Sequence, residues 1–104
     1  MYEGDGAVTL RPDQRILTSL VPSHSRVLDL GCGDGSLLRH LITTSGCLGT
    51  GVELDHSSLI TAMSAGVPVL GLDLNEDLGE FHDDSYDVVI LSRTLKAIVS
   101  PDEV

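Results

Sequence analysis

The chain has 104 residues, with 16 acids against 6 Lys and Arg and a formal net charge of −10. That length holds at most one domain, since single domains usually run to roughly 100–200 residues. A composition of 41% hydrophobic and 21% charged residues argues for a globular chain and against disorder. The acidity argues against nucleic acid as a main partner, because phosphates would be repelled and no basic stripe or aromatic platform offsets this.

Aromatic residues make up only 3%, so the core has to rest on Leu, Val and Ile. Cys32 and Cys47 form no C-x-x-C pair and no disulfide framework, which points to a reducing, cytoplasmic setting. No apolar run reaches the roughly 18–20 residues that span a bilayer, and the first residues lack a signal-peptide layout. No membrane association is expected.

Residues 1–9, with Gly4 and Gly6, read as a loose N-terminal arm, and residues 10–104 as one domain. Pro12 suits the first turn of a short helix that presents Ile16, Leu17, Leu20 and Val21 on one face, and Pro22 stops it. Arg26–Leu30 is an apolar strand running straight into Gly31-Cys-Gly-Asp-Gly35. A helix follows from Ser36, with Leu37, Leu38, Leu41 and Ile42 at helical spacing, and Gly46 ends it. Residues 47–54 read as a second strand. Asp55 is a good N-cap for a helix burying Leu59, Ile60 and Met63.

Residues 67–74 read as a third strand, 75–84 as an acidic loop, and 86–91 as a strand buried on both faces. Leu95, Ile98 and Val99 are placed at the opening of another helix. Strands alternating with helices predict an α/β fold with a doubly wound parallel sheet, of which about the N-terminal half is present.

The informative segment is Asp29-Leu-Gly-Cys-Gly-Asp-Gly35, with a strand before it and a helix after it. Glycines there allow a tight turn and let a ligand approach the backbone. A dinucleotide would need Gly-x-Gly-x-x-Gly and a positive potential for its pyrophosphate. This turn is one residue shorter before its third glycine, and carries Asp29 and Asp34 with no Lys or Arg. Those carboxylates suit a ligand with an ammonium and a sulfonium centre. Charge therefore selects S-adenosyl-L-methionine over NAD.

Glu53 closes the second strand 22 residues after Gly31, where an acid can accept hydrogen bonds from both ribose hydroxyls. Asp73 can accept from an adenine amine, and the Leu74 N–H can donate to the ring. Ser92 falls just past the fourth strand, at the carboxyl edge where open α/β sheets bind ligands. Cys32 reads as a small side chain packed beneath the turn rather than a nucleophile. The candidate cofactor-binding residues are Asp29, Gly31, Cys32, Gly33, Gly35, Glu53, Leu54, Asp73, Leu74 and Ser92. No catalytic residue and no metal site is assigned, because the four His show no ligand spacing.

At these residues the chain resembles class I S-adenosylmethionine-dependent methyltransferases, and more narrowly the MetW family of methionine-biosynthesis proteins. The resemblance runs through Arg11-Pro-Asp13, the block Arg26 to Gly35, Gly51-Val-Glu-Leu-Asp55, Asp84-Ser-Tyr-Asp87 and Pro101-Asp-Glu-Val104. After the fourth strand the family tends to have Gln-x-Leu-Gln, whereas this chain has Arg93-Thr-Leu-Lys96. The resemblance implies a Rossmann-like cofactor-binding domain over residues 10–104 that acts in methionine synthesis. It also implies either methyl transfer or a non-catalytic role beside a homoserine O-acetyltransferase. Family members continue past the equivalent of residue 104, which implies that most substrate contacts lie beyond it.

Overall fold

The computed structural model describes residues 10–71 and 86–99. Among them are three helices and five strands, in the order α1 (Pro12–Ser19), β1 (Arg26–Leu30), α2 (Ser36–Ser45), β2 (Leu48–Val52), α3 (His56–Ser64), β3 (Val69–Leu70), β4 (Val88–Leu91) and β5 (Lys96–Val99). The expected N-terminal arm, and Asp73, Leu74 and the acidic loop, lie outside the described residues.

Local chemistry sets the helix ends. The Arg11 N–H donates to Gln14 Oε1 at 3.0 Å as α1 opens on Pro12. Gly46 ends α2 at φ 67°, and the Cys47 N–H returns to the Leu41 carbonyl at 3.2 Å. The Asp55 carboxylate caps α3 by accepting from the Ser58 N–H at 3.0 Å.

The strands form one sheet in the order β3-β2-β1-β4-β5. Central β1 pairs parallel to both β2 and β4, with Leu30 opposite Val52 on one side and Leu91 on the other. From β1 the chain moves outward to β2 and β3, then returns to β4 on the far side of β1. That reversal opens a crevice at the carboxyl ends of β1 and β4. Val27, Leu38, Leu41, Val88 and Ile90 pack the core without measurable exposure. Gly49 in β2 brings α2 close, because a Cβ there would collide with the Leu38 side chain.

The mostly parallel α/β sheet agrees with expectation, and several details correct it. Residues 96–99 form β5, antiparallel to β4, where a helix was expected. Ile98 and Val99 are β-branched, and an apolar run of three residues, Ala97 to Val99, does not distinguish strand from helix by period. Ser92 to Leu95 make the reversal, with the Thr94 N–H donating to the Leu91 carbonyl and Leu95 at φ 54°. The second strand is shorter than 47–54, with Cys47 buried just before it. On α1, Leu17 is buried while Ile16 and Leu20 are exposed. On α3, Ala62 is buried while Ile60 and Met63 face outward.

Candidate functional site

The chain leaves β1 through three left-handed residues in five: Gly31 (φ 73°), Gly33 (φ 61°) and Gly35 (φ 82°). Only glycine enters that region without steric penalty, which explains the local sequence. The Gly31 and Cys32 N–H groups both donate to the Val52 carbonyl, at 2.8 and 3.1 Å, and so hold the turn against the end of β2. The three glycines differ in surroundings. A Cβ on Gly35 would meet Val67 Cγ2 at 3.0 Å and Ala62 Cβ at 3.2 Å, so this glycine packs α2 against its neighbours. Among the described residues a Cβ on Gly33 would meet nothing within 4 Å. Gly33 faces open space.

Glu53 follows β2 and is only 2% exposed. Its Oε1 accepts the Gly33 N–H at 2.7 Å, and its Oε2 accepts the Asp55 N–H at 2.9 Å. Arg93 places Nη2 3.6 Å from the same Oε2. A buried carboxylate needs such donors, since an unpaired one carries a large desolvation penalty. The Ser58 N–H and neighbouring hydroxyls hold the Asp55 carboxyl below the usual carboxylate range.

Asp29 is fully buried, beneath Ser92, whose hydroxyl donates to Oδ1 at 2.5 Å. Among the described residues its Oδ2 has no hydrogen-bond partner. Burial pushes this carboxyl up to about 7, opposed by the Ser92 hydrogen bond and reinforced by the Glu53 charge. Cys32 packs beneath the turn as expected, with Sγ 2.6 Å from where a Gly51 Cβ would stand. Burial, with the charges of Asp29 and Glu53, pushes this thiol up to about 12. A thiol held protonated in this way is a poor nucleophile.

Gly31, Gly33, Glu53 and Ser92 therefore converge on one cavity of about 390 Å³. Asp55, Ser58 and Arg93 also line it and were not among the sequence candidates. The sequence marks Asp55 as a helix cap, and its position beside Glu53 follows from the strand ending where the helix begins. Arg93 reaches the cavity through the β4–β5 reversal, which spacing does not reveal. Leu54 is 64% exposed beside Glu53. Asp34, counted toward the acidity of the turn, accepts the Ser36 N–H at 3.0 Å and lies at the start of α2. A second recess of about 450 Å³, lined by Arg26, Leu48, Thr50, Pro68 and Tyr86 among others, opens at the amino ends of the strands. That is the edge away from the crevice. Among the described residues no His, Cys, Asp or Glu cluster converges to hold a metal, and no helix is long and apolar enough to cross a membrane.

The Rhodopirellula baltica bifunctional methionine biosynthesis protein MetXA/MetW is 40% identical over 100 residues, covering 88% of this chain and 16% of that protein. The chain thus spans about one-sixth of that relative's length. Among solved structures, an RNA methyltransferase from Salinibacter ruber, in complex with S-adenosyl-L-homocysteine, superposes with a TM-score of 0.64 at 27% identity. The match covers 82% of this chain and 60% of that one. Haemonchus contortus phosphoethanolamine N-methyltransferase 2, in complex with S-adenosyl-L-methionine, gives 0.64 at 27% identity over 76% and 20% of the two chains. The family model for methionine biosynthesis protein MetW matches residues 11–104. The chain belongs to the MetW family.

Proposed function

We propose that this chain binds S-adenosyl-L-methionine and its demethylated product in the cavity between the glycine turn and Glu53, and transfers the methyl group within methionine biosynthesis. One observation carries the reading. Gly33 leaves open space at the switch point, directly bonded to a buried acid at the end of the neighbouring strand. The residues present fit the cofactor. Gly31 and Gly33 give backbone access, Glu53 supplies acceptors for the ribose hydroxyls, and Ser92, whose hydroxyl is held by the Asp29 carboxyl beneath it, lines the same cavity. Asp73 and Leu74 remain assigned to the adenine, with Leu54 flanking Glu53, and Cys32 and Gly35 shape the turn from below. The solved relatives that hold S-adenosylmethionine or S-adenosylhomocysteine support the same ligand.

When bound, this cofactor supplies an electrophilic methyl group on a sulfonium. The chain's own contribution is to bind and orient it, since positioning provides much of the catalysis of an in-line displacement. Residues 10–104 act as one cofactor-binding domain in this reading. Two free, buried cysteines support a cytoplasmic location.

A second reading is a non-catalytic accessory of homoserine O-acetyltransferase. The bifunctional relative that joins MetXA and MetW in one chain favours an association of this kind. Two assays separate the readings. Formation of S-adenosylhomocysteine from S-adenosylmethionine with candidate acceptors supports transfer. A change in acetyltransferase rate on adding the chain, without turnover of the cofactor, supports the accessory role and overturns transfer.

A further inference from the structure

Among the described residues, Arg93 is the one cation that lines the cavity. Its side chain lies across the first glycine of the turn, with Nε and Cγ 3.2 and 3.3 Å from where a Gly31 Cβ would stand. The guanidinium then reaches the buried Glu53, 3.6 Å from Oε2. Arg93 thus spans the interval between glycine turn and strand-end acid. Its side chain is 77% exposed, so the pair is held on one side only and a rotation releases it to solvent.

A carboxylate offers about four acceptor positions. On Glu53 the Gly33 and Asp55 N–H groups use one position on each oxygen, both from the backbone. Those two are built into the fold, whereas the Arg93 contact comes from an exposed side chain. We propose that Arg93 is a specificity-determining residue of this pocket, a resident cation that occupies Glu53 until the vicinal hydroxyls of a ribose displace it. This role rests on the cofactor reading above. Without ligand, Arg93 keeps a buried carboxylate paired. A nucleoside entering the cavity has to break that pair, so Arg93 lowers affinity for ribose-bearing ligands through Glu53. A ligand that cannot donate two hydrogen bonds leaves Glu53 with its two backbone donors alone once Arg93 has moved.

The test is calorimetric titration of adenosine and of S-adenosylhomocysteine into the full chain and its Arg93→Gln variant, with circular dichroism to verify the fold. Arg93→Gln is expected to tighten both ligands by about two- to fivefold, the range for displacing one exposed ion pair. The gain should vanish in a Glu53→Gln background, where nothing remains to compete for. Raising the salt concentration gives an independent readout: it should tighten uncharged adenosine on the wild-type chain and leave Arg93→Gln unchanged, because screening weakens the resident pair. Unchanged adenosine affinity in Arg93→Gln overturns the proposal. Weaker S-adenosylhomocysteine with unchanged adenosine also overturns it, and makes Arg93 a contact for the ligand carboxylate. If neither ligand saturates either folded protein, the cofactor reading itself fails, and this role with it.

Discussion

Glu53 and Gly33 stand 20 residues apart in sequence and 2.7 Å apart in space, joined by a hydrogen bond from the Gly33 N–H to Oε1. The bond ties the end of β2 to the middle of the glycine turn, so the residue proposed to hold a ribose also fixes the backbone beside it. Substitutions at Glu53 therefore report both on the turn and on the proposed ribose contact.

Glu53→Gln keeps the size and loses the charge and one acceptor oxygen. One backbone N–H, from Gly33 or Asp55, then faces an amide donor. Stability should fall by about 1–3 kcal/mol, the penalty for an unsatisfied buried donor. Cofactor affinity should fall by a further 1–3 kcal/mol or so, measured by titration on folded protein. An analogue lacking the ribose hydroxyls should show a much smaller loss. Equal weakening of both ligands would restrict Glu53 to supporting the turn.

The glycines of the turn should separate binding from folding. Gly33→Ala meets no atom but adopts φ 61°, so about 1–2 kcal/mol of stability is lost while binding is abolished. Gly35→Ala, tight against Val67 and Ala62 at φ 82°, should cost about 2–4 kcal/mol of stability through strain and overpacking together. Urea unfolding paired with ligand titration measures both. A folded Gly33→Ala chain that binds normally would make the turn purely structural.

How much of this site was legible in the sequence depends on the range of the interactions. The glycine turn is local: an apolar strand meets glycines that only a left-handed backbone requires, and both signals sit within ten residues. Glu53 was legible because the strand–helix–strand repeat fixes the spacing between adjacent strand ends. Arg93 was not, since it reaches the cavity by a reversal between β4 and β5 that the apolar pattern had assigned to a helix. Ile60 and Met63, expected in the core, are exposed for a related reason. Helical period identifies an apolar stripe, but its neighbours decide how much of the stripe is covered.

Asp29 should make stability depend on pH near neutrality. Its carboxyl is raised from the ordinary 3.8 to about 7, so the folded state holds the proton more tightly than the unfolded chain. That contribution is complete below the unfolded value and is lost as pH rises through about 7. Asp29→Asn keeps an acceptor for the Ser92 hydroxyl and removes the charge. It should flatten this limb and stabilise the chain above neutrality by about 2–4 kcal/mol. Urea midpoints of both proteins across this range check it. An unchanged slope would show that Asp29 is paired in solution.

Asp87 works in the opposite sense. The Arg26 side chain and N–H hold its carboxyl down at about 2, where the amino ends of β1 and β4 meet. Its contribution is present above the ordinary 3.8 and is lost as pH falls through about 2. Asp87→Asn should remove that acid-side loss while leaving the Asp29 limb intact, because the two carboxyls lie at opposite ends of the sheet. Acid unfolding followed by circular dichroism measures it.

The central claim is that the glycine turn, with Glu53 at the end of the neighbouring strand, selects a sulfonium cofactor over a dinucleotide. Its most direct test is equilibrium titration of the purified chain with S-adenosylmethionine, S-adenosylhomocysteine and NAD under identical conditions. The account predicts saturable binding of the first two, abolished by Gly33→Ala and weakened by Glu53→Gln, and no measurable binding of NAD. Binding of NAD as tight as that of S-adenosylmethionine, or tighter, would contradict it.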